Sequence, residues 1–252
     1  MSATSLLRRP WRALLGAVPA RLIERAFQSW VNVLQTSQAP PDALRQLFRL
    51  QDHVEREVDL ASIRLDHGVH AKHRLIRYHD FFVDRVRQGE RVLDVGSGKG
   101  ELAYDLALRA GAHVTGIDVK SASLDFARDR FRHERVSFLE RDALETLPEG
   151  PFDVVVLSNV IEHLEARVDL LRRVARELGP RRVLIRVPAE DRHWHVPLRR
   201  ELGLSWFSDP SHVVEYDRER LLAELDEAGL EPVDVQARWG ELWAEARPVE
   251  RG

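Results

Sequence analysis

The chain has 252 residues, of which 44% are hydrophobic and 31% charged, and its formal net charge is −3. This composition is typical of a globular protein with one full-sized domain plus additions, or with two small domains. The small negative charge gives no reason to expect general nucleic-acid binding. The chain contains no cysteine, which excludes disulfides, a thiolate nucleophile and cysteine-type zinc sites and fits a cytoplasmic protein.

Residues 1–60 are predicted to form a helical N-terminal extension, interrupted at Ala39-Pro-Pro-Asp42, where we expect Asp42 to cap the second helix. Its early part interleaves apolar residues with arginines, namely Arg8, Arg9, Arg12, Arg21 and Arg25. Most amphipathic helices pack on their own domain or on a partner subunit. A basic one can also lie on an anionic membrane or act as a targeting sequence. Peripheral membrane contact and homodimer contact therefore stay open for this segment.

Residues 61–252 are predicted to form the main domain, because strand and helix patterns alternate from about residue 90. The strand candidates are 91–95, 113–117, 135–139, 153–158 and 182–187, and the helical candidates are 100–110, 121–131, 164–178 and 217–228. Such alternation predicts a mostly parallel sheet with helices on both faces. Two further strands, Pro232–Ala237 and Leu242–Ala246, are joined tightly enough to be antiparallel. The expected fold class is therefore doubly wound α/β with an antiparallel last strand.

A glycine-rich turn follows the first of these strands. The strand carries Asp94, and glycines follow at Gly96, Gly98 and Gly100, before a helical pattern. Glycine permits the backbone angles of such a turn, and the helix N-terminus offers free N–H groups to a ligand. This layout predicts a site for a nucleoside-containing cofactor. The spacing departs from the G-x-G-x-x-G fingerprint of dinucleotide-binding dehydrogenases, which counts against that class.

Two more motifs follow the second and fourth strands. Asp118 ends the second strand, where a carboxylate accepts hydrogen bonds from ribose hydroxyls. The fourth strand and its extension read from Phe152 to Leu164 as FDVVVLSNVIEHL. Together with the glycine turn and Glu140-Arg-Asp-Ala143, these motifs resemble the class I S-adenosylmethionine-dependent methyltransferases, in particular small-molecule O-methyltransferases such as those of ubiquinone biosynthesis. The resemblance covers residues 90–188.

This resemblance implies a Rossmann-like sheet of seven strands, with S-adenosylmethionine as cofactor and S-adenosylhomocysteine as product. It also implies a set of cofactor-binding residues, namely Asp94, Gly96, Ser97, Gly98, Asp118, Val119, Asp142, Ala143, Ser158, Asn159 and Tyr78. Several of these have structural alternatives. Asp94, Gly96 and Gly98 could form a plain β–α turn, and Asp118 could be a solvated turn residue. Asp142 is also a favoured helix cap, and Tyr78 could simply pack in the core. In the resembled family, an acid at the position of Asp142 accepts a hydrogen bond from the exocyclic amine of adenine.

The segment from Pro188 to Tyr216 is long and rich in histidine and tryptophan, so we predict that it covers a substrate. A hydroxyl acceptor must lose its proton, and a histidine has the pKa for this task. The candidate bases, in order, are His163, His212 and His195, each with the alternative of a purely structural histidine. Glu162 and His163, with His193 and His195, also offer metal ligands, but their spacing matches no known metal motif and we predict no metal.

We therefore predict methyl transfer from S-adenosylmethionine to a small or medium-sized acceptor, at oxygen. One alternative is an RNA or protein methyltransferase, which predicts a basic patch drawn from Arg74, Arg77, Arg199 and Arg200. Ser158-Asn-Val-Ile161 lacks the Asn/Asp-Pro-Pro-aromatic sequence of many methyltransferases that act on base nitrogens, and this argues against that class. The other alternative is a non-catalytic subunit that binds S-adenosylmethionine.

Overall fold

The computed structural model describes residues 18–249 and divides the chain into two compact units, with the boundary between His70 and Ala71. The sequence placed this boundary at residue 60. In the structure a helix continues past that point, and no glycine or proline interrupts it before it ends at Leu65. The first unit contains helix α1 (Ala20–Ser37) and helix α2 (Pro40–Leu65), which pack against each other.

The start of α2 corrects the predicted cap. Ala39 is the N-cap residue and Pro40 begins the helix, a position that suits proline because its missing N–H group would have no partner there. Asp42 lies in the first turn and pairs with Arg45 at 2.8 Å, so it is not the cap.

The basic amphipathic segment is described only in part. Arg8, Arg9 and Arg12 lie outside the described residues, whereas Arg21 and Arg25 belong to α1. The same helix exposes large apolar side chains, namely Leu22, Ile23, Phe27, Trp30 and Val33. None of the helices within residues 18–249 has the length and apolar character needed to cross a membrane.

The second unit is built on one mixed sheet. Its strands are β1 (Arg91–Val95), β2 (His113–Asp118), β3 (Val136–Glu140), β4 (Val154–Ser158), β5 (Arg182–Pro188), β6 (Leu230–Arg238) and β7 (Glu241–Pro248). Their order across the sheet is β3-β2-β1-β4-β5-β7-β6, and β7 runs antiparallel to both of its neighbours. The predicted doubly wound fold with an antiparallel last strand is confirmed.

Helices cover both faces of this sheet. In chain order they are α3 (Lys72–Ile76), α4 (His79–Val83), α5 (Glu101–Arg109), α6 (Ser121–Arg130), α7 (Arg167–Arg173), α8 (His195–Glu201) and α9 (Arg218–Glu227). Alternate residues of β4 point to opposite faces. Val154 and Val156 share a core with α4, α5 and α6, whereas Val155 and Leu157 share another with α7 and α9. Burial on both faces explains why β4 is an uninterrupted apolar run.

The two ends of the connection between β5 and α9 lie next to each other. Ala189 and Tyr216 form an isolated parallel bridge, and the N–H group of Glu190 donates to the carbonyl of Tyr216 at 2.8 Å. Helix α8 lies within this connection and was not predicted. It is short, and its N-cap Trp194 makes no capping hydrogen bond, so the usual start signal is missing.

Candidate active site

The three glycines of the turn after β1 serve different purposes. All have positive φ angles, of 67° for Gly96, 55° for Gly98 and 82° for Gly100. A Cβ atom on Gly100 would lie 2.6 Å from Phe138 Cζ, and one on Gly96 would lie 2.6 Å from Val160 Cγ2. A Cβ on Gly98 would meet nothing within 4 Å. The outer glycines are therefore needed for packing, while the middle one faces the open space that a ligand would enter.

Asp118, at the end of β2, fixes the shape of this turn. Its Oδ2 accepts the N–H of Gly98 at 2.9 Å, and its Oδ1 accepts the N–H of Lys120 at 2.8 Å. Each carboxylate oxygen has a second lone pair, so both can also accept from the hydroxyls of a ribose. The acid predicted as a ribose ligand is thus also a structural support of the glycine turn, a role that the sequence did not predict.

Buried polar atoms without partners lie beside this open space. Asp94 is only 2% exposed, and neither its Oδ2 nor the Oγ of Ser97 has a hydrogen-bond partner among the described residues. Burial, together with the negative charges of Asp118 and Glu101, raises the pKa of Asp94 to about 8. A ligand that carries N–H donors or positive charge would satisfy these atoms. The ammonium and sulfonium groups of S-adenosylmethionine meet that requirement.

The other predicted cofactor residues flank the same edge of the sheet. Val119 is 57% exposed immediately beyond Asp118, and Ala143 packs partly buried against the core. Asp142 Oδ1 accepts the N–H of Leu144 at 2.8 Å, which closes a turn that no helix continues. The alternative of a helix cap is therefore wrong for Asp142. Its predicted contact with adenine stays a prediction.

Tyr78 is part of an aromatic cluster in the core. Its ring lies 6.3 Å from that of Trp243, the guanidinium of Arg186 lies 3.9 Å from its centroid, and its hydroxyl lies 3.3 Å from the ring nitrogens of His73. Burial raises the pKa of its hydroxyl above the ordinary value. These contacts correspond to the core-packing alternative, and the predicted role in covering the cofactor stays a prediction.

The end of β4 leads into a buried carboxylate. After Ser158, Asn159 adopts a positive φ of 56°, and a single 3₁₀ turn follows at Ile161–His163. Asn159 Nδ2 donates to Glu162 Oε1 at 2.8 Å, while Glu162 Oε2 and Asn159 Oδ1 are buried without a partner within the described part of the chain. Burial raises the pKa of Glu162 to about 7, although its hydrogen bonds act in the opposite direction.

The β5–α9 connection brings a second histidine to this carboxylate. The carbonyl of Glu162 accepts the N–H of Val213 at 2.9 Å, and this places the imidazole of His212 with its centroid 4.6 Å from that of His163. Glu162, His163 and His212 each present one ligand atom within 4.8 Å of the others. The structure therefore brings together the first two predicted bases.

His193 and His195 do not join this cluster. Their rings lie 4.0 Å from each other at the start of α8, which forms an imidazole pair of its own. The considered set of Glu162 and His163 with His193 and His195 is therefore wrong, because His212 takes the place of the other two.

Hydrogen bonds assign the protons on the two clustered imidazoles. Ser211 Oγ donates to Asp209 Oδ1 at 2.5 Å, so it must accept from His163 Nδ1, which lies 2.9 Å away. His212 Nδ1 lies 3.2 Å from the carboxylate of Glu215 and donates to it. Each ring therefore keeps a lone pair on Nε2. Burial lowers the pKa of His163, which favours its neutral form.

Glu215 links several parts of the connection between β5 and α9 through hydrogen bonds. It is fully buried and accepts from the guanidinium of Arg192, from the N–H and hydroxyl of Ser208 and from His212. Burial alone would raise its pKa, but these hydrogen bonds and the charge of Arg192 lower it below the ordinary value. Sequence reasoning missed Glu215. Its spacing of three residues from His212 is the signal that could have found it.

The arginines proposed as a basic patch are partly neutralised. Arg77 pairs with Asp80 at 2.8 Å, and Arg200 pairs with Glu190 at 2.6 Å while stacking on Trp206. Charges that are already paired attract phosphate less strongly, which weakens the case for a nucleic-acid acceptor.

Comparison with known proteins agrees with this geometry. Residues 92–181 match the family model of a methyltransferase domain. Over about 100 residues the chain is 36% identical to 27-O-demethylrifamycin SV methyltransferase of Amycolatopsis mediterranei, with 38% of this chain and 37% of that protein aligned. It is 39% identical to ubiquinone biosynthesis O-methyltransferase of Hahella chejuensis, with 40% and 44% aligned. It is 42% identical to release factor glutamine methyltransferase of Chlorobaculum tepidum, with 37% and 35% aligned. The chain thus spans less than half the length of these curated relatives.

Solved structures share the fold. Magnesium protoporphyrin IX methyltransferase of Synechocystis, solved with S-adenosylhomocysteine bound, superposes with a TM-score of 0.56 at 20% identity and covers 68% of this chain and 82% of that one. The N-methyltransferase NodS of Bradyrhizobium japonicum, also solved with S-adenosylhomocysteine, gives 0.53 at 20% identity, with 71% and 87% covered. The fold, the glycine turn and the domain match together identify this chain as carrying a class I methyltransferase domain, whose cofactor is S-adenosylmethionine.

Proposed function

We propose that the protein transfers the methyl group of S-adenosylmethionine to a hydroxyl oxygen of a small or medium-sized acceptor. The observation that carries this proposal is the pair of imidazoles of His163 and His212, whose centroids lie 4.6 Å apart beside the cofactor turn. Val160 packs on Gly96, so the turn that bears His163 is in direct contact with the loop that receives the cofactor. The acceptor would therefore approach from the side of this histidine pair.

Methyl transfer needs alignment and one proton acceptor. The acceptor oxygen attacks the methyl carbon in line with the sulfur, the C–S bond breaks and S-adenosylhomocysteine leaves. The hydroxyl proton passes to Nε2 of His163, which is neutral because burial lowers its pKa. Asp209, acting through Ser211, stabilises the imidazolium that forms. His212 is the second candidate for this role, and His195, in its separate pair, is the third.

Relatives support an oxygen acceptor without naming it. Two of the three relatives described above methylate oxygen according to their names, whereas the release factor enzyme acts on glutamine. The half-buried Trp206 and Phe207, with ring centroids 4.2 Å apart, add an apolar surface to the covering segment. An acceptor with some apolar area fits this surface. A cytoplasmic location, consistent with the absence of cysteine, belongs to the same proposal.

The test follows a labelled methyl group. The purified chain would be incubated with radiolabelled S-adenosylmethionine and separate pools of phenols and catechols, aliphatic alcohols, short RNAs and polypeptides. We expect label in a hydroxyl pool, and we expect His163→Gln to lower the rate by about 100-fold or more while S-adenosylhomocysteine affinity stays within about twofold.

Other outcomes would contradict this function. Label that appears only in RNA or polypeptide would favour the macromolecular alternative. Calorimetric binding of S-adenosylhomocysteine without transfer to any pool would favour a non-catalytic cofactor-binding subunit.

A further inference from the structure

The Glu162–His163–His212 cluster holds an unusual surplus of electron-pair donors. Among the described residues, Glu162 Oε2 is buried without a hydrogen-bond partner, and the tautomers assigned to His163 and His212 leave a lone pair on Nε2 of each ring. A buried carboxylate oxygen without a donor is costly, and such a group normally has a partner.

We propose that this cluster binds a divalent metal ion. Glu162, His163 and His212 offer ligand atoms within 4.8 Å of one another, a spacing at which a single ion contacts all three. Two imidazoles and one carboxylate form a ligand set used for zinc in enzymes that keep a fourth position open. The nitrogen ligands favour zinc or cobalt over magnesium, which prefers oxygen ligands.

Two features of the surroundings support a metal site. The Nδ1 groups of both histidines are held by second partners, Ser211 for His163 and the carboxylate of Glu215 for His212. Metal-binding histidines are typically oriented in this way, because the second hydrogen bond fixes the tautomer that points the lone pair at the ion. In addition, Asn159 Oδ1 is buried without a partner on the side chain that donates to Glu162, and an amide oxygen is a competent further ligand.

The ion would change how the acceptor is activated. This part of the inference rests on the proposed function, whereas binding of the ion does not. An ion with an open position holds the acceptor hydroxyl and lowers its pKa, so that its proton leaves to water. His163 then serves as a ligand, and it serves as the proton acceptor only when no ion is bound.

Direct binding measurements test the site without any acceptor. The chain would be stripped with EDTA, dialysed and titrated with Zn²⁺ by calorimetry, and with Co²⁺ by visible absorption. We expect one tight site per chain, and at least about 100-fold weaker Zn²⁺ binding in both Glu162→Gln and His212→Gln. The matched control is His113→Gln, because His113 is an exposed histidine at the opposite end of the sheet and its loss should leave affinity unchanged.

Folding of the variants is checked separately, by S-adenosylhomocysteine affinity, which should stay within about twofold in all of them. Zn²⁺ titrations that are identical in the wild type and in both cluster variants would overturn the metal site, as would the absence of any tight site. If Zn²⁺ binds as expected but no acceptor pool is methylated, the metal site stands and the proposed function fails. If methyl transfer survives EDTA and no tight Zn²⁺ site exists, the function stands and the metal site fails.

Discussion

The cofactor side of this domain and its proposed acceptor side are built in different ways. The cofactor side comes from adjacent pieces of chain, and its main contacts involve backbone groups, as when Asp118 accepts the N–H of Gly98. The acceptor side joins side chains that are far apart in sequence, since Ser211 contacts a histidine 48 residues earlier. The first can be recognised from local motifs, whereas the second exists only after the long connection has folded back.

We expect the largest effect from Asp118→Ala, which should weaken cofactor binding on the cofactor side. The substitution removes the acceptor of the Gly98 N–H and the predicted ribose contacts together. We expect S-adenosylhomocysteine to bind about 1000-fold more weakly, or about 4 kcal/mol, by calorimetry. Asp125→Ala, which removes an exposed acid on α6, is the matched control and should bind normally. Affinity within tenfold of the wild type would contradict the ribose assignment.

An intermediate effect, confined to the acceptor side, is expected from Glu215→Gln. The change leaves the guanidinium of Arg192 without its buried carboxylate and loosens His212, so we expect a loss of about 2–3 kcal/mol in the free energy of unfolding. S-adenosylhomocysteine affinity should stay within about twofold. Denaturant unfolding and calorimetry measure the two quantities, and Glu201→Gln on the exposed part of α8 serves as control. A parallel loss of cofactor affinity would show that the two sides are not independent.

The smallest effect concerns pH and separates the two buried acids. The folded pKa of Asp94, about 8, is above its ordinary value of 3.8, so the folded state holds this proton more tightly than the unfolded state. The associated stability is complete below about pH 4 and is lost as pH rises towards 8. Asp94→Asn cannot ionise, so we expect its thermal midpoint at pH 9 to exceed that of the cofactor-free wild type, and we expect this difference to shrink as the pH falls below 8.

Glu162, with a folded pKa of about 7, makes the stability depend on pH in the same direction on the proposed acceptor side. Glu162→Gln should therefore remove the part of the pH dependence that Asp94→Asn leaves. Melting curves from pH 5 to 9 on both single variants and the double variant test this division. Equal slopes in the wild type and the double variant would exclude both acids as the source.

The sequence predicted the sheet and the cofactor side well for a physical reason. Strands buried on both faces are short apolar runs, and the glycine turn needs backbone angles that other residues rarely adopt, so both leave local signals. Gly96 and Gly100 were recognised in this way. Their packing partners come from distant parts of the chain, however, since Phe138 belongs to β3 and Val160 to the turn after β4, and no local pattern predicts these contacts.

The acceptor side was predicted only residue by residue. His163 and His212 were each ranked as bases, but nothing in the spacing shows that the carbonyl of Glu162 binds Val213 and so brings the rings together. Tyr78 is the opposite case, because its motif was recognised but its packing environment was not. Its position in a motif-like segment suggested a ligand contact, while its surroundings consist of buried aromatic residues contributed by distant elements.

The bridge between Ala189 and Tyr216 makes residues 190–215 a self-contained segment whose two ends are held together. Because the two ends of this segment are adjacent and hydrogen-bonded to each other, a replacement of different length would close with little added entropy and would not pull on the sheet. If this segment contacts the acceptor, as we propose, acceptor choice can change by exchange of the segment while the glycine turn is left unchanged. The same joint gives engineers two fixed anchor points at which to graft the covering segment of another enzyme.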